Sequence, residues 1–204
     1  MRATTFRQER LALHQKMAEA YHGFLAYTFL QNEGNPDLHR GLAEARNRFL
    51  SSYFIESENH AVPGWVPDEV QKRYRGSSRR YLLGDYYSEA ALREIGNPVS
   101  RNRELRFEHL RPKGEAIRKR GEAEYEKGVP VSVDTIAGLL DENWHIAVIT
   151  RAENGMLRSQ RKMPGNAGDL FAGYRDDTGD MLFPLVSTVE DGPRCGQLLR
   201  AGHR

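Results

Sequence analysis

Two polar segments in the second half of the chain combine residue types that can act on water and on a phosphate. Glu108 and His109 are adjacent in the segment RELRFEHLRP, and Asn154 follows His145 nine residues later. Hydrolysis of a phosphodiester requires a base that takes a proton from water, a divalent ion that polarises the phosphate, and a group that orients the base. A histidine, a facing polar residue and an amide or imidazole ligand supply these three functions.

The predicted secondary structure brings the two segments together. In the first segment, Leu105, Phe107 and His109 would lie on one side of an extended chain. Arg106, Glu108 and Leu110 would lie on the other side, and this alternation predicts a strand. The β-branched apolar run WHIAVIT predicts a second strand, and RAENGMLRSQRK directly after it predicts a helix. We therefore expect two strands followed by a helix, with a candidate residue on each element.

The same segments resemble the motif of the HNH (ββα-metal) nuclease superfamily. The residues EHLRP at 108–112 are similar to the Asp/Glu-His-x-x-Pro that opens this motif. The residues HIAVITRAEN at 145–154 have the spacing of its second half, in which Asn or His precedes a final His or Asn by about nine residues. The ending TRAEN also resembles the Thr-x-Glu-Glu-His of members without zinc.

The resemblance implies a role for each matching residue. His109 would be the general base, and His145 would take the middle position, which orients or supports the base. Glu108 and Asn154 would hold one divalent metal ion, with Mg²⁺ expected first and Mn²⁺ as the alternative. The implied activity is that of a metal-dependent endonuclease of restriction, defence or phage-related type, which hydrolyses phosphodiester bonds in DNA.

The chain departs from the family pattern at several points. Asn154 replaces the final histidine, although an amide oxygen also ligates a hard cation. His145 replaces the middle asparagine, unless Asn143 takes that place from two residues earlier. Some 35 residues separate the two strands, with two predicted helices inserted, and the zinc-binding cysteines of other members are absent. The resemblance covers only residues 105–157.

The whole chain is predicted to be an α+β protein in which an N-terminal helical hairpin packs on a small ββα-metal unit. Helical spacing of apolar residues predicts one helix up to about Leu30 and another from about Leu38 to Ile55. Asp68 is a candidate cap of a short third helix, and Ser88 begins a fourth that ends at Gly96. We place the N-terminal helical region at residues 1–98, the nuclease-like unit with its helical insertion at 99–163, and a mostly irregular C-terminal tail with one late strand at 164–204.

Basic residues are clustered although the net charge is only +2. Residues 71–80 hold five cations and no acid, and further basic zones cover residues 101–120 and 151–162. A basic stripe can neutralise backbone phosphates, whereas most charge runs are solvated faces. Under the first interpretation, the residues that contact DNA, or RNA as the alternative, would be Arg73, Arg75, Arg79, Arg80, Arg111, Lys113, Arg158, Arg161 and Lys162.

Composition argues against several other classes of protein. No apolar run approaches the roughly 18 residues that a membrane-spanning helix needs, so we expect no membrane partner. The N-terminus MRATTFRQER lacks the apolar core of a signal peptide. Cys195 is the one cysteine and cannot form an internal disulfide, which favours a reducing cytoplasm.

Other interpretations stay open on the sequence alone. The histidines are structural if the basic zones bind nucleic acid without cutting it, as in a non-catalytic binding or regulatory protein. The N-terminal helices are the functional surface if the chain is a protein-interaction module of the immunity type. For a nuclease, a homodimer is a further alternative, because two-fold symmetry suits the cutting of both strands.

Overall fold

The computed structural model describes residues 3–30, 35, 37, 41–57, 62–100, 102–111, 114–157 and 169–202. These residues form two units that are interleaved along the chain. The sheet unit comprises the described residues of Met1–Arg7, Ala61–Arg111 and His145–Arg204, and the helical unit those of Gln8–His60 and Pro112–Trp144. The predicted α+β class is confirmed.

Eight α-helices and four strands lie within the described residues. The helices are α1 (Ala3–Leu25), α2 (Ala43–Glu56), α3 (Asp68–Arg73), α4 (Glu89–Gly96), α5 (Arg120–Tyr125), α6 (Val133–Asn143), α7 (Arg151–Leu157) and α8 (Gly192–Ala201). The strands are β1 (Tyr86–Ser88), β2 (Leu105–His109), β3 (Ile146–Thr150) and β4 (Leu185–Ser187). Segments of π-helix at Ala26–Leu30 and Gly114–Lys119 and of 3₁₀-helix at Gly76–Leu82 and Ala172–Tyr174 complete the secondary structure of this part of the chain.

The helical unit is built on α1 and α2, which pack as the predicted antiparallel hairpin. The Arg10 guanidinium, early in α1, lies 4.8 Å from the ring centre of Phe54, late in α2. Further along α1, Phe24 stacks on Phe49 with ring centres 4.7 Å apart. Contacts that run in opposite order along two helices require an antiparallel arrangement, and the aromatic pair adds a favourable stacking contact.

A buried carboxylate lies inside the helical unit. Glu122 on α5 is 4% exposed, accepts a hydrogen bond from the Tyr21 hydroxyl at 3.3 Å, and pairs with Arg118 at 3.2 Å. Burial raises the pKa of Glu122 above its ordinary value, although the charges of Arg118 and Arg46 act in the opposite direction. The group therefore makes the stability of this unit dependent on pH.

The sheet unit contains a four-stranded mixed sheet with the order β2-β3-β1-β4. Strand β3 pairs antiparallel with β2 and parallel with β1, and β1 pairs antiparallel with β4. Residues Ile146 to Ile149 of β3 are all buried, as expected for an interior strand with both faces covered. The continuous apolar run in the sequence has its physical origin in this central position.

The two faces of the sheet pack against different helices. On the face that we call the α4 side, Tyr87, Leu105 and Val148 pack with Leu92 of α4 and Leu199 of α8. On the opposite face, the α7 side, the core residues are Leu110, Ala147, Ile149, Leu157, Tyr174 and Phe183. Helix α7 thus covers the face that carries the even-numbered residues of β2.

Most local predictions are confirmed, with one error at a cap. Strands β2 and β3, helices α4, α6 and α7, and the late strand β4 lie where the sequence placed them. Ser88 caps α4 by accepting a hydrogen bond from the Ala91 amide at 3.1 Å. The prediction that Asp68 caps α3 is wrong, because Pro67 occupies the cap position and Asp68 is the first helical residue.

The C-terminal tail also contains a helix that we did not predict from the sequence. Helix α8 spans ten residues there, and Cys195 and Leu199 are buried on its inner side. Gly192 and Pro193 indicate a turn when they are taken alone. Proline is compatible with the first turn of a helix, since the amide at that position has no helical partner, and here Pro193 lies in the first turn of α8.

Candidate functional site

The β2–β3 pair brings the two candidate segments together. His109 is opposite Ile146 in the antiparallel register, and Glu108 is opposite Ala147. One residue further, the Leu110 amide donates to the carbonyl oxygen of His145 at 3.0 Å. The backbones of His109 and His145 therefore lie at the same end of the sheet, although some 35 residues separate them in sequence.

The alternation of side chains divides Glu108 from His109. Glu108 is on the α7 side, because residues directly opposite each other in an antiparallel pair share a face and Ala147 belongs to the α7-side core. His109 is on the α4 side, where its ring meets Phe107 edge-on with centres 6.0 Å apart. Both side chains are partly exposed at the end of an edge strand.

Helix α7 places Asn154 over the face that carries Glu108. Asn154 precedes Leu157 by three residues, which puts both on one side of the helix, and Leu157 packs in the α7-side core. The Asn154 side chain is 7% exposed, and no donor among the described residues lies within hydrogen-bonding distance of its Oδ1 atom. A buried amide oxygen without a donor is an acceptor that can still coordinate a cation.

A hydrogen-bonded carboxylate fixes the start of α7. Glu153 Oε2 accepts from the Thr150 amide at 2.8 Å and from the Thr150 hydroxyl at 2.9 Å, while the Glu153 amide donates back to that hydroxyl at 3.2 Å. This is a capping box, in which Thr and Glu three residues apart satisfy each other's amides. The same Oε2 accepts a third bond, at 2.6 Å, from the Ser88 hydroxyl.

Sequence reasoning missed a buried carboxylate near the histidines. Asp85, just before β1, is 8% exposed, and its Oδ2 accepts from the Ile146 amide at 2.8 Å. Its own amide donates to the Ile146 carbonyl at 2.9 Å, so Asp85 anchors the residue that faces His109. The one available signal was an acidic residue inside the apolar stretch YLLGDYY.

The basic residues proposed to contact the backbone of a nucleic acid differ in their surroundings. The Arg73 guanidinium donates to the carbonyls of Asn97, Ile95 and Gly96 at 2.6, 2.9 and 3.2 Å, so it caps the C-terminal end of α4. Arg80 donates to the Tyr81 hydroxyl at 3.0 Å and is half-buried.

Among the other basic candidates, Arg75 is exposed, whereas Arg79 and Arg111 are half-buried and make further interactions. The remaining four, Lys113, Arg158, Arg161 and Lys162, lie outside the described residues. Of the described candidates, Arg75 is thus the one whose side chain is exposed.

Comparisons with family models, with curated proteins and with solved structures found no match. No described helix is long and apolar enough to cross a membrane. Within the part of the chain that the structure describes, no group of three or more His, Cys, Asp or Glu side chains could hold a metal ion. A cation at Glu108 and Asn154 would therefore have one carboxylate and one amide as its protein ligands, which fits Mg²⁺, since that ion keeps several waters.

Proposed function

We propose that the chain is a metal-dependent endonuclease that hydrolyses phosphodiester bonds in DNA. The observation that carries the proposal is the buried Asn154 oxygen, which has no hydrogen-bond donor among the described residues. It lies on the helix that directly follows β3, on the face of the sheet that also carries Glu108. Leaving a buried acceptor unpaired costs roughly 1–3 kcal/mol of folding free energy, and a ligand at this atom would offset that cost.

Each residue has a distinct task in this proposal. Glu108 and Asn154 hold one divalent ion through oxygen atoms, the ligand type that Mg²⁺ prefers. When bound, the ion would polarise the scissile phosphate and stabilise the leaving oxygen. His109 lies on the opposite face at the end of β2, so the attacking water whose proton it takes must lie beyond the strand end, within reach of both faces. His145 supports the end of β2 through its carbonyl oxygen, which accepts from Leu110.

The proposal also requires a surface that binds a polyanion. Arg75 is the exposed candidate for a backbone phosphate contact among the described residues. Arg73 is not assigned to that role, because its guanidinium donors are bonded to the end of α4. Phosphate contacts would make binding weaken as salt concentration rises.

The first experiment is plasmid nicking with Mg²⁺ or Mn²⁺. We expect the wild type to nick the plasmid, and His109→Ala to lose at least a hundredfold in rate, because a positioned base contributes roughly 10²–10⁴-fold. His22→Ala is the matched control. His22 is also partly exposed and meets the Tyr125 ring edge-on at 6.0 Å, but it belongs to the helical unit. This variant should cut like the wild type.

The outcomes separate the proposal from its alternatives. If the wild type shifts the plasmid on a gel but leaves it uncut with either metal, the chain is a binding protein and the nuclease proposal fails. If it neither cuts nor shifts the plasmid, the protein-interaction alternative gains. Equal loss of cutting in His109→Ala and His22→Ala would show a general effect of histidine removal and would refute the base assignment.

A further inference from the structure

One serine hydroxyl joins the first turns of two helices in the sheet unit. Ser88, which is fully buried, donates to Glu153 Oε2 at the start of α7 at 2.6 Å and accepts from the Ala91 amide at the start of α4 at 3.1 Å. A hydroxyl has one proton to donate, and this one is given to Glu153. The two helices are thus connected through a single atom.

Neither helix cap requires this connection. Thr150 and Glu153 form the complete capping box of α7 without Ser88. Ser88 caps α4 with its acceptor capacity, and that capacity does not depend on where its proton points. The Ser88–Glu153 bond is therefore additional to both caps, and at 2.6 Å it is short for a hydrogen bond between two oxygen atoms.

Helix α7 needs such a restraint if Asn154 is a ligand. The helix has seven residues, too few to be stable without tertiary contacts. Asn154 is the next residue after Glu153, and successive helical residues point about 100° apart around the axis. A fixed direction for Glu153 therefore fixes the direction of the Asn154 amide relative to the sheet.

We propose that Ser88 and Glu153 are positioning residues, whose hydrogen bond holds the rotation of α7 so that the Asn154 oxygen faces the Glu108 side of the sheet. The inference rests on the proposed function, because it takes Asn154 as a metal ligand. Groups that orient ligands through hydrogen bonds typically affect metal affinity by 10–100-fold. Ser88 and Glu153 would act through Asn154 and would touch neither the attacking water nor the scissile phosphate.

The test measures Mn²⁺ binding to the full chain by electron paramagnetic resonance of the free ion. We expect Ser88→Ala and Glu153→Ala each to raise the Mn²⁺ dissociation constant about tenfold. The double variant should bind no more weakly than Glu153→Ala alone, because that change already removes the Ser88–Glu153 hydrogen bond. Glu153→Gln should recover part of the affinity, since its amide oxygen can still accept from Ser88.

A matched control separates positioning from the loss of a cap. Ser132 caps α6 in the helical unit with the same spacing and distance, accepting from the Thr135 amide at 3.1 Å. Ser132→Ala should lower the free energy of unfolding by roughly 1 kcal/mol, as loss of an N-cap does, and leave Mn²⁺ affinity unchanged. If Ser88→Ala does not fold, the Glu153 variants decide the question.

Different results would refute the positioning role of Ser88 and Glu153 and the proposed metal site. If the wild type binds Mn²⁺, Asn154→Ala loses it, and Ser88→Ala and Glu153→Ala stay within twofold of the wild type, the positioning role is refuted and the metal site stands. If Mn²⁺ binding is absent from the wild type, or is unchanged in Asn154→Ala, the metal site itself is refuted and the positioning role with it.

Discussion

Replacement of Asn154 with leucine should stabilise the fold and remove metal binding at the same time. The wild-type amide is buried without a donor for its oxygen among the described residues, at a cost of roughly 1–3 kcal/mol. A buried leucine side chain gains roughly 1.5–3 kcal/mol from its apolar surface. The change of shape costs about 1–3 kcal/mol in repacking against Leu157 and its neighbours. With the middle of each range, the net gain in the free energy of unfolding is about 2 kcal/mol.

Urea unfolding followed by circular dichroism measures this gain. With a urea dependence of about 2 kcal/mol/M, the urea midpoint should rise by about 1 M in Asn154→Leu without added metal. Mg²⁺ at ten times its dissociation constant should stabilise the wild type by about 1.4 kcal/mol, because the ion binds the folded chain. The leucine variant should show no such increase, so saturating Mg²⁺ should narrow the difference between the two proteins.

Asn143 provides the matched control for this prediction. It is also a buried helical asparagine, 3% exposed, but its Nδ2 donates to the Leu139 carbonyl at 2.9 Å and it makes further interactions. Asn143→Leu should lower the free energy of unfolding by about 0.5–1.5 kcal/mol, because it removes these hydrogen bonds. If Asn154→Leu instead lowers stability as Asn143→Leu does, the Asn154 amide has a structural role and its assignment as a ligand is refuted.

Two further predictions concern the fold itself. Because the folded state raises the pKa of Glu122 above its ordinary value of 4.5, stability from this group is present below that pH and is lost as pH rises through the folded pKa. Glu122→Gln should therefore show a smaller loss of stability between pH 4 and 7 in urea titrations, and an equal loss would contradict the assignment. A Cβ at Gly96 would lie against the Leu199 carbonyl, so Gly96→Ala should cost about 1–3 kcal/mol in the same assay. Gly138→Ala, where α6 offers open space, should instead gain about 0.5–1 kcal/mol, and a similar loss in both variants would refute the steric explanation.

The sequence predicts elements whose signals are local. The apolar run of β3 and the alternation of β2 each follow from the surface that the strand buries, and Ser88 precedes its helix as a cap does. Strand β1 has three residues, too few for any periodicity to emerge, and it exists because β3 and β4 pair with it on either side. Its formation depends on residues about 60 and 100 positions away.

The candidate site likewise has some features that the sequence predicts and others that it does not. Alternation along β2 and a helix after β3 were readable from residues near each element, but the packing of α7 on the face that carries Glu108 was not. The Ser88–Glu153 bond joins residues 65 positions apart, and the Asp85–Ile146 bond joins residues 61 positions apart. Hydrogen bonds of this kind depend on strand order, which no local pattern specifies.

The burial of Asn154 carries more weight than the residue types of the motif, because a folding explanation for it is lacking. Asn102 also has a buried Oδ1 without a partner among the described residues, but its backbone φ of 59° lies in the left-handed region that asparagine tolerates well. Conformation alone therefore accounts for Asn102. Asn154 is inside a helix, where asparagine is a poor helix former, and its oxygen accepts no hydrogen bond from the described chain. Leucine or alanine would suit that position better on both grounds, which supports the proposal that the Asn154 oxygen binds a ligand.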